Sequence, residues 1–228
     1  MNIQTKQFLL QRIIQQVRYS SPFIEWMYVY IFFGGVILLL NPKAYIHLFI
    51  NQYHSFFADV FFTYATLLGD GISATILVVI LFFVRFRYAF MIAVSNISCS
   101  IIVQSLKRLI FSDSVRPCQF FKGIQHLYLV PGVEVYSFNS FPSGHSATIF
   151  ATCTLLCLMT KQRFLRGLLF IIACIIAFSR VYLSQQFFED IYAGAIIGVV
   201  IAYGTATFFN NSNGAPEWFN NSLVTMLK

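Results

Sequence analysis

Residues 164–209 read FLRGLLFIIACIIAFSRVYLSQQFFEDIYAGAIIGVVIAYGTATFF. Two apolar runs stand in this stretch, Phe164–Leu183 and Ile191–Phe209, and the polar residues Arg180, Ser184, Gln185, Gln186, Glu189 and Asp190 crowd the place where they meet. Each run is close to the ~20 residues that an α-helix needs to cross about 30 Å of hydrocarbon. Lipid offers a backbone no water to bond, so runs of this kind must satisfy their own peptide groups as helices. The stretch predicts two membrane-spanning helices joined by a short polar turn.

The rest of the chain agrees. Of 228 residues, 58% are hydrophobic and 10% charged, against about 25% charged in a soluble domain. Phenylalanine alone supplies 27 residues. A soluble fold of this size has too little interior to hide that much apolar surface, so lipid is the solvent for part of it. The net charge of +7 does not signal nucleic acid: the basic residues sit in short loops between apolar runs, and no basic stripe or soluble module carries them. Cys99, Cys153, Cys157 and Cys174 lie inside apolar runs, where a thiol behaves as a small hydrophobe. Only Cys118 lies in a long polar loop, so neither a disulfide framework nor a metal site is expected. No small-residue cleavage site follows Leu40, and the first apolar run reads as an uncleaved span.

The pattern predicts an all-α, polytopic membrane protein with six transmembrane helices and an N-terminal interfacial helix, one domain over residues 1–228. Residues 1–20 place Leu10, Ile13, Ile14 and Val17 at helical spacing with Gln and Arg between them, as a helix lying in the interface does. Spans are expected at 22–40, 72–84, 88–107, 146–160, 164–183 and 191–209. Residues 44–68, aromatic and mixed, read as interfacial or re-entrant helices, 108–143 as a long loop, and 210–228 as an interfacial tail. Six spans put both termini on one side, together with Arg85, Arg87, Lys161, Arg163 and Arg166; Lys43, Lys107, Arg108, Arg116, Lys122 and Arg180 share the other. Four of the latter belong to motifs described next. Discounting those, the positive-inside rule places the termini in the cytoplasm and the 108–143 loop outside, in a plan that suits a bacterial inner membrane.

Ionisable residues at membrane depth are expensive, so the polar segments at the outer ends of spans are the functional candidates. The first runs from Lys107-Arg108 to Arg116-Pro117. Cations there can be a plain membrane-edge anchor or a phosphate clamp, with Arg binding oxyanions through a planar fork and Lys as a point charge. The second is Pro142-Ser143-Gly144-His145, just before a span; backbone N–H groups at a helix start hold anions, and a His beside them can give a proton to a leaving oxygen. The third is Ser179-Arg180, five residues, Gln186, three residues, Asp190. Gln186 and Asp190, four apart, share a helix face.

Together and in order, these segments resemble the type 2 phosphatidic-acid phosphatase superfamily, membrane lipid phosphatases related to the vanadium haloperoxidases. The resemblance implies that Lys107, Arg116 and Arg180, with the backbone at Ser143 and Gly144, hold the phosphoryl oxygens. It implies that His145 is the general acid, that residue 186 is the nucleophile forming a phosphohistidine, and that Asp190 orients it. The cationic cluster does the work of a metal, so no metal and no cofactor are implied.

Two departures from the family pattern stand out. Eight residues separate Lys107 from Arg116 where the family has six, and Arg108, one step nearer, can share or take the phosphate-binding role. Gln186 stands where the nucleophilic His belongs, and a carboxamide has no useful nucleophilic nitrogen. The intact surroundings favour a deliberate His→Gln change over a natural pseudoenzyme. The chain as it stands is expected to bind phosphate-bearing lipid and hydrolyse it very poorly. Undecaprenyl diphosphate or another polyprenyl diphosphate and lipid A phosphates lead the expected substrates, with phosphatidylglycerol phosphate and phosphatidic acid behind. The 118–141 loop, with Phe120, Phe121, Lys122, His126, Tyr128 and Tyr136, lies where headgroup selection would happen. A lipid-phosphate binder or carrier is the rival reading. A channel finds its only support in Ser95, Asn96, Ser98, Ser100 and Gln104, which suit helix packing better.

Overall fold

The computed structural model describes residues 22–211 and 217–226; the interfacial helix expected at 1–20 lies outside them. Helices form on the apolar runs: α1 (Phe23–Leu40), α2 (Lys43–Asn51), α3 (Phe56–Ala65), α4 (Gly71–Val84), α5 (Phe86–Leu109), α6 (Pro117–Phe120), α7 (Gly144–Met159), α8 (Arg163–Tyr182), α9 (Phe188–Asn211) and α10 (Leu223–Met226). Among the described residues no β-strand forms, and one isolated bridge joins Val115 to Phe138.

α1, α5, α8 and α9 are each long and apolar enough to cross a membrane. α3 with its 3₁₀ extension (Thr66–Gly69) passes the same test jointly with α4, bent by 57° at the break between them. The carboxylate of Asp70 accepts from Gly71 N at 2.7 Å and starts the new helix there. α7, of 16 residues, is apolar but short. The protein is thus an all-helical integral membrane protein with four spans by length and composition among the described residues, or five with the bent pair counted as one.

α7 is the axis of the bundle. Its Ala147, Ala151, Leu155 and Cys157 are fully buried, and cores form on both sides of it. On one side Phe23 and Met27 of α1 meet Phe150 of α7 and Phe170 of α8, with the Phe23 and Phe170 rings 5.3 Å apart edge to face. On the other, Ile92, Cys99 and Val103 of α5 meet Ala202 and Ala206 of α9. α9 reaches α7 closely because of Gly194 and Gly198: a Cβ at either would collide with the carbonyl oxygen of Ser143 or Ala147. The outward faces are aromatic and aliphatic, Leu39 being 86% and Phe57 84% exposed, as lipid-facing surface requires. In the tail, Phe219 stacks on Phe90 and Phe209, and Asn221 O accepts from Phe86 N, which pins the tail to the start of α5.

Helix direction alternates, so the chain sorts its polar residues to two ends. The end of α5, the start of α7, the end of α8 and the start of α9 share one of them.

Candidate active site

Lys107, in the last turn of α5, is 7% exposed, and its Nζ donates to Asn139 O at 2.7 Å. It feels the charges of Arg116, Asp190 and Arg180. Arg108 is exposed. Successive helical residues point about 100° apart, so only one of the two can face the bundle. The structure buries Lys107 at the cluster and leaves Arg108 exposed.

The loop after α5 folds back on itself. Arg116 N donates to Ser137 O at 2.9 Å and Ser140 N to Ser114 O at 3.1 Å. This pairing takes up the long spacer and returns Arg116 to the site. There its Nε donates to Phe138 O (3.0 Å) and its Nη1 to Gln185 O (3.1 Å), while the guanidinium lies over the Tyr136 ring. Burial lowers the Arg116 pKa and the charge of nearby Asp190 opposes that shift.

Ser143 caps α7, its Oγ accepting from Ser146 N at 3.3 Å. Its own N–H donates to Asp190 O at 3.0 Å, so it is spent on the fold and not offered to an anion. The N–H groups of Gly144 and His145 are the ones a helix start leaves without an intrahelical partner. His145 is half-buried against Gly69 and feels the charges of Arg180, Asp70, Arg116 and Lys107.

Arg180 lies in the last turn of α8, 7% exposed. Its Nη1 donates to Thr66 Oγ1 at 3.0 Å, and its buried Nε has no partner. The α8–α9 turn closes on the Arg180 carbonyl, which accepts from Gln185 N and Gln186 N (2.9 and 3.1 Å), with Ser184 in the left-handed region at φ 54°. The turn presents the Gln186 side chain, 2% exposed, to the cluster. In the orientation that satisfies both ends of its carboxamide, Nε2 donates to Ser140 O (2.8 Å) and Asp190 Oδ2 (3.3 Å), and Oε1 accepts from Arg116 Nη1 (3.3 Å). Asp190 Oδ2 also accepts from Ser140 Oγ (2.6 Å) and Phe187 N (2.7 Å); its Oδ1 has no partner.

The site therefore gathers Lys107, Arg116 and Arg180 around the start of α7, with one buried carboxylate behind residue 186. A family model described as the PAP2 superfamily matches residues 86–213, more than half of the chain. The chain belongs to the PAP2 superfamily. Among solved structures it is similar to LpxE of Aquifex aeolicus at 27% identity, with a TM-score of 0.62 over 70% of this chain and 92% of that one. It also shares the fold of a transmembrane PAP2-type phosphatidylglycerolphosphate phosphatase from Bacillus subtilis, at 21% identity, with a TM-score of 0.61 over 85% of this chain and 98% of that one. No curated protein matches the sequence significantly. Members of this superfamily are phosphatases, which makes the chain a membrane lipid phosphatase by family.

Sequence reasoning missed Thr66, which holds Arg180, and Ser140, which holds Asp190. Neither has a local signal, because each is an ordinary Ser or Thr whose partner lies far along the chain. It also missed a second polar network beside the site. Asp59 of α3 accepts from Tyr182 OH (2.6 Å), Tyr128 OH (2.8 Å) and His54 Nδ1 (3.0 Å). The Asn51 side chain pairs with both backbone groups of Tyr128 at 2.9 Å and donates to Ser184 Oγ (3.1 Å), which also meets His47 Nε2 at 3.2 Å. This network ties the loop that carries Tyr128 to the turn that carries Gln186. Of the loop residues expected to meet a headgroup, Phe121 is buried against Phe187, Phe120 packs on Phe187, and Tyr128 serves the Asp59 network. Tyr136 is the one that touches the clamp, while Lys122 and His126 are exposed.

Proposed function

We propose that this site binds the phosphate of a membrane lipid and that residue 186 decides whether the phosphate is then cut. The observation that carries the reading is the buried Arg180 Nε, a cationic donor with no protein partner, beside Lys107 and Arg116. A buried donor left unmade is costly, and an anion's oxygen is the partner that fits it. Lys107, Arg116 and Arg180 hold the phosphoryl oxygens, and the N–H groups of Gly144 and His145 add to them. Asn139 O and Gln185 O keep two of the cations aimed. His145 gives a proton to the oxygen of the departing alcohol or phosphate.

With His at residue 186, an imidazole would attack phosphorus while Asp190 held its N–H, as in the orienting role of a triad carboxylate. Gln186 keeps the contact to Asp190 but brings a carboxamide that cannot form a phosphoenzyme. The chain as it stands therefore captures substrate and turns it over very slowly. Polyprenyl diphosphates and acylated lipids of the lipid A kind are the leading substrates, met at the outer face with the termini in the cytoplasm, in a six-span plan with α7 as the short span. A phosphate-binding carrier without catalysis is the second reading, favoured by the way the Gln186 amide is wired to Arg116, Ser140 and Asp190.

The test is phosphate release from these lipids by the chain and by its Gln186→His form. Turnover is expected to rise about 10³-fold or more with His in place. Equal turnover by both forms would remove residue 186 from the mechanism, and silence from both would favour the carrier.

A further inference from the structure

The polar residues of α5 that were expected to serve helix packing do not behave alike, and Ser95 is buried with its hydroxyl unpartnered. Asn96 does pack: its Nδ2 donates to Ile92 O and Thr152 Oγ1, both at 3.1 Å. Ser100 and Gln104 do not. Both are exposed and neither makes a hydrogen bond to another described residue; the same is true of half-buried Thr148 on α7. Asn96, Ser100 and Gln104 recur every four residues and continue to Lys107, so they form one face that descends from the phosphate site. At 1.5 Å per residue, Gln104 lies about 4.5 Å and Ser100 about 10 Å below Lys107 along the helix. That face lines a cavity of about 530 Å³ between α4, α5 and α7, and His145 and Asp70 line the same cavity. Ile97, Cys99 and Val103 line the cavity beside them, Ile97 exposed and the other two buried.

A hydroxyl or carboxamide in hydrocarbon without a partner is expensive. These three sit in a space lined also by the general acid, which offers room for the body of a lipid whose phosphate is in the clamp. We propose that Gln104, Ser100 and Thr148 are specificity-determining donors for acyl carbonyls, so that this site prefers ester- or amide-linked acyl lipid phosphates over polyprenyl phosphates. The proposal rests on the phosphate-binding reading above and narrows it. A diacylglycerol or acylated sugar phosphate carries carbonyl oxygens a few bonds from phosphorus, within reach of this face. A polyprenyl phosphate has only hydrocarbon there and leaves the donors unpaired.

The experiment is calorimetric titration of the full chain, in detergent, with dioctanoyl phosphatidic acid, farnesyl phosphate and inorganic phosphate. Gln186 prevents turnover from confusing the binding. Dioctanoyl phosphatidic acid is expected to bind about tenfold more tightly than farnesyl phosphate. In a Ser100→Ala/Gln104→Leu variant the ratio falls towards one while inorganic phosphate binds as before. Ser100→Ala alone, which removes a donor without adding bulk, gives part of that change. Equal binding of the two lipids overturns the proposal, as does a ratio that survives the double substitution. A double variant that only loses self-association assigns the face to a second copy of the chain and also overturns it. If inorganic phosphate and both lipids fail to bind, the phosphate reading itself has failed and the proposal falls with it; phosphate binding without lipid preference sinks the proposal alone.

Discussion

The two ends of this helical bundle hold similar numbers of cations and use them in opposite ways. At the end away from the site, Arg166 is buried, but its Nε and Nη2 both donate to Thr160 O, at 3.1 and 2.7 Å, closing the end of α7. Arg87 likewise donates to Phe209 O and Asn210 Oδ1 at the end of α9. Arg85, Lys161 and Arg163 are exposed at the rim. These cations finish helix ends whose carbonyls would otherwise lack donors. At the site end, Lys107 and Arg180 are buried together, against the repulsion of like charges, and Arg180 keeps a donor in reserve. Burial alone therefore does not mark a functional cation; burial with a donor left over does.

Acid should separate the two ends most. His47, 1% exposed beneath Ser184, is held by burial at a pKa of about 4. Its ordinary value is about 6.5, so the unfolded chain takes up the proton first and stability is lost as pH falls from about 6.5 to about 4. The loss amounts to about 3 kcal/mol, concentrated at the site end. Denaturant titrations across that range should show the slope, and His47→Gln should reduce it. A slope unchanged in that variant would place the acid-sensitive group elsewhere.

Removing one cation from each end tests the contrast directly. Arg180→Ala is expected to weaken inorganic phosphate binding about 10- to 100-fold, the value of a hydrogen bond to a charged group. Arg163→Ala, at the opposite rim, should leave it unchanged. Comparable losses from both would mean that phosphate binding reflects overall charge and not a built site.

Much of this contrast was legible in the sequence. The apolar runs predicted at 72–84, 88–107 and 164–183 became α4 (Gly71–Val84), α5 (Phe86–Leu109) and α8 (Arg163–Tyr182), because hydrophobic run length is a local signal. Lys107, Arg116, His145, Arg180 and Asp190 could be singled out because charge at the end of an apolar run is also local. What could not be read was which way each residue turns and what it meets. Lys107 and Arg108 are neighbours, and only the packing of α5 on α7 decides that the first is buried. Thr66 and Ser140 steady Arg180 and Asp190 from 114 and 50 residues away. The Asp59 network joins three segments with no motif among them.

That network sets the smallest expected effect. Asp59→Asn leaves the shape but weakens the hydrogen bonds from Tyr182, Tyr128 and His54. It should cost about 1–2 kcal/mol of stability, visible as a lower Tm in detergent. Because the network holds the 183–186 turn, phosphate affinity should weaken only a few-fold. An effect on phosphate as large as that of Arg180→Ala would mean that Asp59 acts on the clamp itself.

The central claim is that residue 186 is the nucleophile position and that Gln186 silences an otherwise assembled site. Its most direct test is to expose the chain and its Gln186→His form to a short-chain lipid phosphate labelled in the phosphate, quench in alkali to preserve phosphohistidine, and map the label by mass spectrometry. The account predicts label at residue 186 in the His form and none in the chain as it stands. Label on His145 or His47, or label retained with Gln186 in place, would contradict it.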